Sequence, residues 1–274
     1  MEFSFGIITD FKNESKLLNL ITSIKNQNIN NYQIILVGSV QNITNHAIYA
    51  RNKNIDILDF DESKKEGWIT KKKNLITDNS IYENIVYLHD YLLLEENWYS
   101  GFRKFGNNFD ICLNKIYNFD GSRYRDWCLS PHNMKKIDKK LNLNLEYLLP
   151  YNETSFTNYM YVSGAYWVAK KTLMKRYPLN EDLTWGEGED IEWSHRVRRK
   201  SDLKFNKFSS VKLQKEKEVI FTEISNTNLT IFKKIEMNIF LRVFDNATAF
   251  FKRFLYSFIK KIKYFKKKYL KFKN

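Results

Sequence analysis

The chain has 274 residues, of which 43% are hydrophobic and 16% aromatic, enough apolar material for a sizeable core in one or two domains. Its formal net charge is +14, yet residues 251–274 hold ten Lys or Arg and no acid, leaving 35 basic and 31 acidic residues in the other 250. The body is thus near neutral, and two cysteines without a CxxC pair exclude a disulfide framework or a cysteine zinc site and fit a reducing compartment.

Phe3 to Thr9 is a compact apolar run. It predicts a buried first strand and not a signal peptide, since it has neither a basic lead nor a small-residue cleavage site. Ser15 to Lys25 carries Leu17, Leu18, Ile21 and Ile24 at helical spacing. Gln33 to Val37 and Ile55 to Leu58 predict the second and third strands. A helix is expected to start within Gly67 to Ile76, around Lys71, Lys72 and Lys73. Asn84 to Leu88 predicts a fourth strand ending at His89-Asp90. Strands alternating with helices imply a largely parallel α/β sheet, with ligands outside the carboxyl ends of its strands. Thr9, Gly38-Ser39 and His89-Asp90 fall at such ends.

The middle reads as more antiparallel. Phe109 to Tyr117 resembles a strand, Asp120-Gly121 a turn, and Arg123 to Cys128 the returning strand. Pro150 to Thr157 reads as a loop. Met160 to Ala169 is an apolar run interrupted by Ser163-Gly164, where a backbone is expected to approach a ligand. Lys170 to Tyr177 is a short helix ending before Pro178. Asp190 to Lys200 is expected to be helical, and Lys204 to Leu213 a last strand. No apolar stretch approaches 18 residues, so no transmembrane helix is expected.

The densest chemistry lies in Trp185-Gly186-Glu187-Gly188-Glu189-Asp190-Ile191-Glu192-Trp193. Acids at a helix start are favoured by the helix dipole, so a solvated cap explains the run as well as a site does. As a site, Trp185 offers a flat face for a sugar ring, or simply packs. Asp190 and Glu189 offer a carboxylate able to take a hydroxyl proton. Trp127, Trp167 and Trp193 are expected in the core. His195 lies about a turn and a half beyond Asp190, off its face, and reads as structural. Arg123, Arg125 and Asp126 form either a substrate contact or a salt-bridge cluster.

An acidic residue after a strand near position 90, followed about a hundred residues later by a Trp-Gly acidic turn opening a helix, resembles nucleotide-sugar glycosyltransferases of the GT-A fold. The likeness, over roughly residues 3–215, is to family 2-like enzymes with a galactosyltransferase-type carboxyl segment. It implies a Rossmann-like, mixed but mainly parallel sheet flanked by helices, in a domain of residues 1–220. Residues 221–274 would be a helical extension. By this resemblance Thr9 and Phe11 belong to the loop receiving the nucleotide base, with Phe11 stacking on it. Ser39 follows the second strand, where the family's aspartate is missing. Lys73-Asn74 matches a basic-Asn pair that contacts the nucleotide. His89-Asp90 falls at the Asp-x-Asp metal motif, whose first carboxylate is replaced by Leu88. Asp90 is then the implied ligand of Mn²⁺ or Mg²⁺, with His89 as an alternative donor. Asp190 matches the catalytic base, in a Trp-Gly-Gly-Glu-Asp pattern into which Glu187 is inserted.

The expected activity is transfer of a sugar from a nucleoside-diphosphate donor, a UDP-sugar, to a hydroxyl of a glycan or lipid-linked acceptor, with inversion. Trp185 and Glu189 would contact the sugars. Residues 246–274 place Phe250, Phe254, Phe258, Ile262, Phe265 and Tyr269 at spacings of three or four among lysines, a basic amphipathic helix pattern. An anionic membrane surface is its favoured partner, implying a cytoplasmic enzyme peripheral to the inner face of the membrane. Packing on the domain, an oligomer contact and nucleic-acid binding are the alternatives for the tail. A nucleic-acid-binding protein or a degenerate sugar-binding GT-A domain are the alternatives for the whole.

Overall fold

The computed structural model describes residues 1–43, 49, 52–129, 147–217, 222–224 and 229–230. Residues 1–134 and 144–223 form one compact unit. Residues 135–143 and 224–274 form a second, almost wholly outside the described residues, and the expected amphipathic helix of 246–274 lies there too.

The first unit is built on strands Phe3–Ile8 (β1), Tyr32–Gly38 (β2), Ile55–Asp59 (β3) and Asn84–His89 (β4). β2 and β4 pair in parallel with β1 on opposite sides, and β3 pairs in parallel with β2. Every residue of β1 is buried, which is why its sequence is a continuous apolar run. Helix α1 (Glu14–Lys25) is capped by the Asn13 side chain, which accepts from Lys16 N. It buries Leu17, Leu20, Ile21 and Ile24, each worth about 1.5–3 kcal/mol. Helix α2 (Ile69–Asn79) packs on β1 and β2.

Strands Leu92–Leu94 (β5) and Ile111–Tyr117 (β6) flank helix α3 (Trp98–Phe105) in the chain. Cys128–Leu129 (β7), Tyr147–Leu148 (β8) and Met160–Tyr161 (β9) are short. Tyr166–Lys170 (β10) leads directly into helix α4 (Lys171–Arg176). Helix α5 (Glu189–Val197) precedes Leu203–Leu213 (β11), and Thr222–Glu223 (β12) follows. The main sheet runs β3-β2-β1-β4-β10-β6-β11-β5, with β10 antiparallel to both its neighbours and β5 antiparallel at the edge. A small second sheet has the order β12-β8-β7-β9.

The mixed sheet with flanking helices is the GT-A, Rossmann-like architecture. The expected strands and helices of the first ninety residues are present with ends shifted by one or two residues. Trp127, Trp167 and Trp193 are fully buried, as expected.

One expectation needs correction. Arg123 to Cys128 is not a returning strand. A single bridge joins Tyr117 and Arg123, and Cys128 belongs to the second sheet. The buried Asp126 carboxylate accepts from Trp127 N at 2.6 Å and Ile116 N at 3.4 Å, taking backbone donors that a ladder would use. Met160 to Ala169 is interrupted at Ser163-Gly164, as expected. Ser163 O accepts from Tyr166 N at 3.0 Å, and this turn divides the run between the two sheets.

Candidate active site

β1, β2 and β4 are parallel, so their carboxyl ends share one edge. The chain leaves β1 towards β2 on one side while β4 lies on the other, which makes the β1–β4 crevice the topological switch point. Thr9 and Asp90 meet there. The Thr9 hydroxyl donates to Asp90 Oδ2 at 2.8 Å, and Asp90 N donates to Ile8 O at 3.2 Å. Burial raises the Asp90 carboxyl above its ordinary value, and the Thr9 hydrogen bond opposes this.

A cavity of about 270 Å³ lies beside this crevice. His89, Tyr91, Arg125 and Lys217 line it together with Trp185, Glu189 and Asp190. Asp190 is held firmly. Gly164 N donates to its Oδ2 at 2.8 Å, and Ile191 N to its Oδ1 at 2.8 Å. Arg125 Nη2 stands 3.9 Å from Oδ2. Asp190 opens α5, where the helix dipole favours its anion. Ser194 Oγ donates to Asp190 O and accepts from Val162 N, tying this turn to the end of β9. Glu189 is buried, and desolvation raises its carboxyl while Lys73 opposes the rise.

The loop before α5 explains its own composition. Gly186 and Gly188 have φ of 85° and 74°, which a side chain would strain. The inserted Glu187 closes this loop. Its Oε2 accepts from Thr184 N at 2.7 Å and Thr184 Oγ1 at 3.0 Å, and Glu187 N donates to Thr184 O. Trp185 N donates to Gly67 O at 2.8 Å, leaving the indole 73% exposed at the cavity.

Three lysines on one helix turn have three different surroundings. Lys71 pairs with Glu181 and Lys72 with Glu62. Lys73 is 1% exposed, lies 4.3 Å above the Trp167 ring, and donates to Gly164 O at 3.0 Å. Burial pushes its ammonium down to about 8, against the pull of Glu189 and Asp190. Lys73 therefore faces the acidic pair from inside the protein. Asn74 braces the 179–181 segment, donating to Leu179 O and Glu181 Oε1.

Phe11 likewise presents no open face for a base. It is 1% exposed with φ of 57°, and its ring meets Tyr49 edge-on at 6.1 Å. Ser39 is partly exposed and precedes a short 3₁₀ turn, Val40–Asn42. Thr9, Phe11, Ser39, Lys73 and Asp90 do not line the cavity, whereas His89, Trp185, Glu189 and Asp190 do.

At the expected motif position, 88–90, Asp90 is the single carboxylate that a divalent cation could use. Among the described residues no three His, Cys, Asp or Glu side chains come together. Leu88, where the resemblance expects a first carboxylate, is buried. His89 stacks on Tyr91 at 5.3 Å, and burial together with Lys73, Lys217 and Lys72 drives its imidazole well below the ordinary value.

Tyr91, Tyr124 and Lys217 carry no sequence signal as site residues, whereas Arg125, expected as a substrate contact or part of a salt-bridge cluster, lines the cavity. Arg125 and Arg123 stand two apart, yet they part company. Arg123 bonds Asp126, Glu223 and Leu149 O, while Arg125 Nη2 reaches Tyr161 Oη and the Asp190 carboxylate.

No family model matches the chain, and no curated protein matches it. Among solved structures it is similar to S. aureus TarS 1–349, with a TM-score of 0.51 and 12% identity over 77% of this chain and 60% of that one. The same protein in complex with UDP-GlcNAc aligns with a TM-score of 0.53 and 13% identity over 80% of this chain and 60% of that one. Its UDP complex aligns at 0.50 and 12%, over 84% and 62%. The chain thus spans about 60% of the length of these TarS structures. At such identities the likeness is one of fold.

Proposed function

We propose that this chain is a glycosyltransferase that moves a sugar from a nucleoside-diphosphate donor to a hydroxyl acceptor. The observation carrying the reading is the Asp190 carboxylate, oriented by Gly164 N and Ile191 N in a cavity beside the β1–β4 switch point. The acceptor hydroxyl gives its proton to Asp190 as its oxygen bonds the anomeric carbon. The bond from that carbon to the diphosphate oxygen breaks, and the nucleoside diphosphate leaves with the electron pair. Attack from the side opposite the leaving group inverts the centre. A positioned base of this kind contributes about 10²–10⁴-fold. The exposed Trp185 indole gives a sugar ring an apolar face to stack on.

The fold likeness to TarS, solved with UDP and with UDP-GlcNAc, supports a uridine nucleotide as the donor carrier. A glycan or lipid-linked glycan acceptor fits the basic amphipathic pattern of 246–274, suited to an anionic leaflet. Among the described residues no helix is long and apolar enough to cross a membrane.

The test is Asp190→Asn, assayed for transfer and hydrolysis across UDP-sugars and for UDP affinity. Turnover should fall at least 100-fold while UDP affinity stays within about threefold. Near-normal turnover removes Asp190 as the base. Nucleotide-sugar binding by the wild type without any turnover would favour a sugar-binding domain instead.

A further inference from the structure

The mismatch between the motif position and a metal site points to how the leaving group's charge is met. Leu88 removes one carboxylate, and Asp90 Oδ2 already accepts from Thr9. Beside them, together with Asp10, several cations gather. Lys217 Nζ donates to Tyr91 Oη at 2.7 Å and lies 4.2 Å above the same ring. Lys215 Nζ lies 4.4 Å from that ring. Arg125 lines the cavity with Lys217.

This cationic wall is preorganised. The buried Asn118 side chain donates to Lys217 O at 2.8 Å and accepts from Lys217 N at 3.1 Å. Gln214 N donates to Tyr91 O at 2.8 Å, and its side-chain amide donates to Leu92 O and Lys16 O. The 214–217 segment is thereby strapped along the turn after β4. Among the described residues no carboxylate pairs with Lys217. A half-buried ammonium facing a cavity with a guanidinium beside it suits an anion of more than one charge.

We infer that Lys217 and Arg125 bind the diphosphate of the donor and stabilise it as it leaves, in the place of a divalent cation. The inference rests on the glycosyltransferase reading and assigns the site's phosphate chemistry to side chains. No bond to phosphorus forms or breaks. The two cations offset the negative charge that accumulates on the diphosphate as the glycosidic bond opens.

Calorimetric titration of UDP into the full chain tests this, once with EDTA and once with MnCl₂. The affinities should agree within about threefold and fall as salt is raised. Lys217→Met and Arg125→Met should each weaken UDP at least about tenfold, Lys217→Arg should restore most of the loss, and Asp90→Asn should leave the affinity within threefold. UDP binding abolished by EDTA and restored by Mn²⁺ overturns the inference while leaving the glycosyltransferase reading intact. Wild-type affinity in folded Lys217→Met also overturns it. Absence of binding to UDP, GDP, CDP and ADP under both conditions overturns both. The EDTA comparison uses the wild type alone, so it decides even where a variant misfolds.

Discussion

Gly164 and Asp190 are 26 residues apart in the chain and joined by a 2.8 Å hydrogen bond from the Gly164 amide to Asp190 Oδ2. The carbonyl of the same glycine accepts from Lys73. One glycine residue thus sits between the carboxylate and a buried ammonium, its N–H on one and its C=O on the other.

That contact leaves no room for a side chain. A Cβ built on Gly164 would stand 3.0 Å from Asp190 Oδ2 and 3.2 Å from Glu189 Oε1. Gly164→Ala should push the carboxylate off its position, with an overpacking cost of about 1–3 kcal/mol. Turnover should fall at least about tenfold while UDP affinity is retained, since displacing a catalytic group by about an ångström is costly. Parallel kinetics and thermal unfolding check this. Unchanged kcat would show that Asp190 tolerates displacement or does not act.

Lys73 makes a prediction in pH. Its ammonium is held down to about 8 from 10.5, chiefly by burial. Between those values the unfolded chain binds this proton and the folded chain does not, so its contribution to stability rises with pH across that window. The shift corresponds to about 3 kcal/mol. In urea titrations from pH 7 to 10.5, the difference in stability between wild type and Lys73→Met should move in favour of wild type by about that amount. Lys217, also lowered to about 8, is common to both proteins and cancels. A difference that stays flat would mean the ammonium titrates normally.

Trp185 separates binding from stability. With its side chain 73% exposed, Trp185→Ala should change unfolding free energy by no more than about 0.5 kcal/mol. A lost ring stack is worth about 0.5–1.5 kcal/mol, so KM for a sugar substrate should rise about two- to tenfold. A large drop in melting temperature with unchanged KM would instead make the indole a packing residue.

The tail of residues 246–274 is testable by sedimentation with vesicles. Deleting it should release the protein from vesicles rich in anionic lipid and leave binding to neutral vesicles unaffected. Each Lys or Arg near such a surface contributes about 1 kcal/mol. Equal sedimentation of the full and truncated chains would reject membrane contact.

The sequence by itself carried the order of the early strands, because buried parallel strands must be continuous apolar runs and their ends are marked by polar residues. It also placed Asp190 in the first turn of a helix, since an acidic helix start after paired glycines is a local pattern. It could not locate Lys73, because adjacency to Asn74 says nothing of Gly164, which lies ninety-one residues away and whose carbonyl accepts its hydrogen bond. Nor could it explain Glu187, whose partner Thr184 is near in sequence but identifiable only once Gly186 turns the chain. Tyr91, Arg125 and Lys217 come from three separate segments, and only the tertiary structure makes them one wall. Local periodicity reports which face of an element is buried. Which charges meet across the fold is decided by contacts far apart in the chain, and in a lysine-rich sequence burial alone tells one lysine from another.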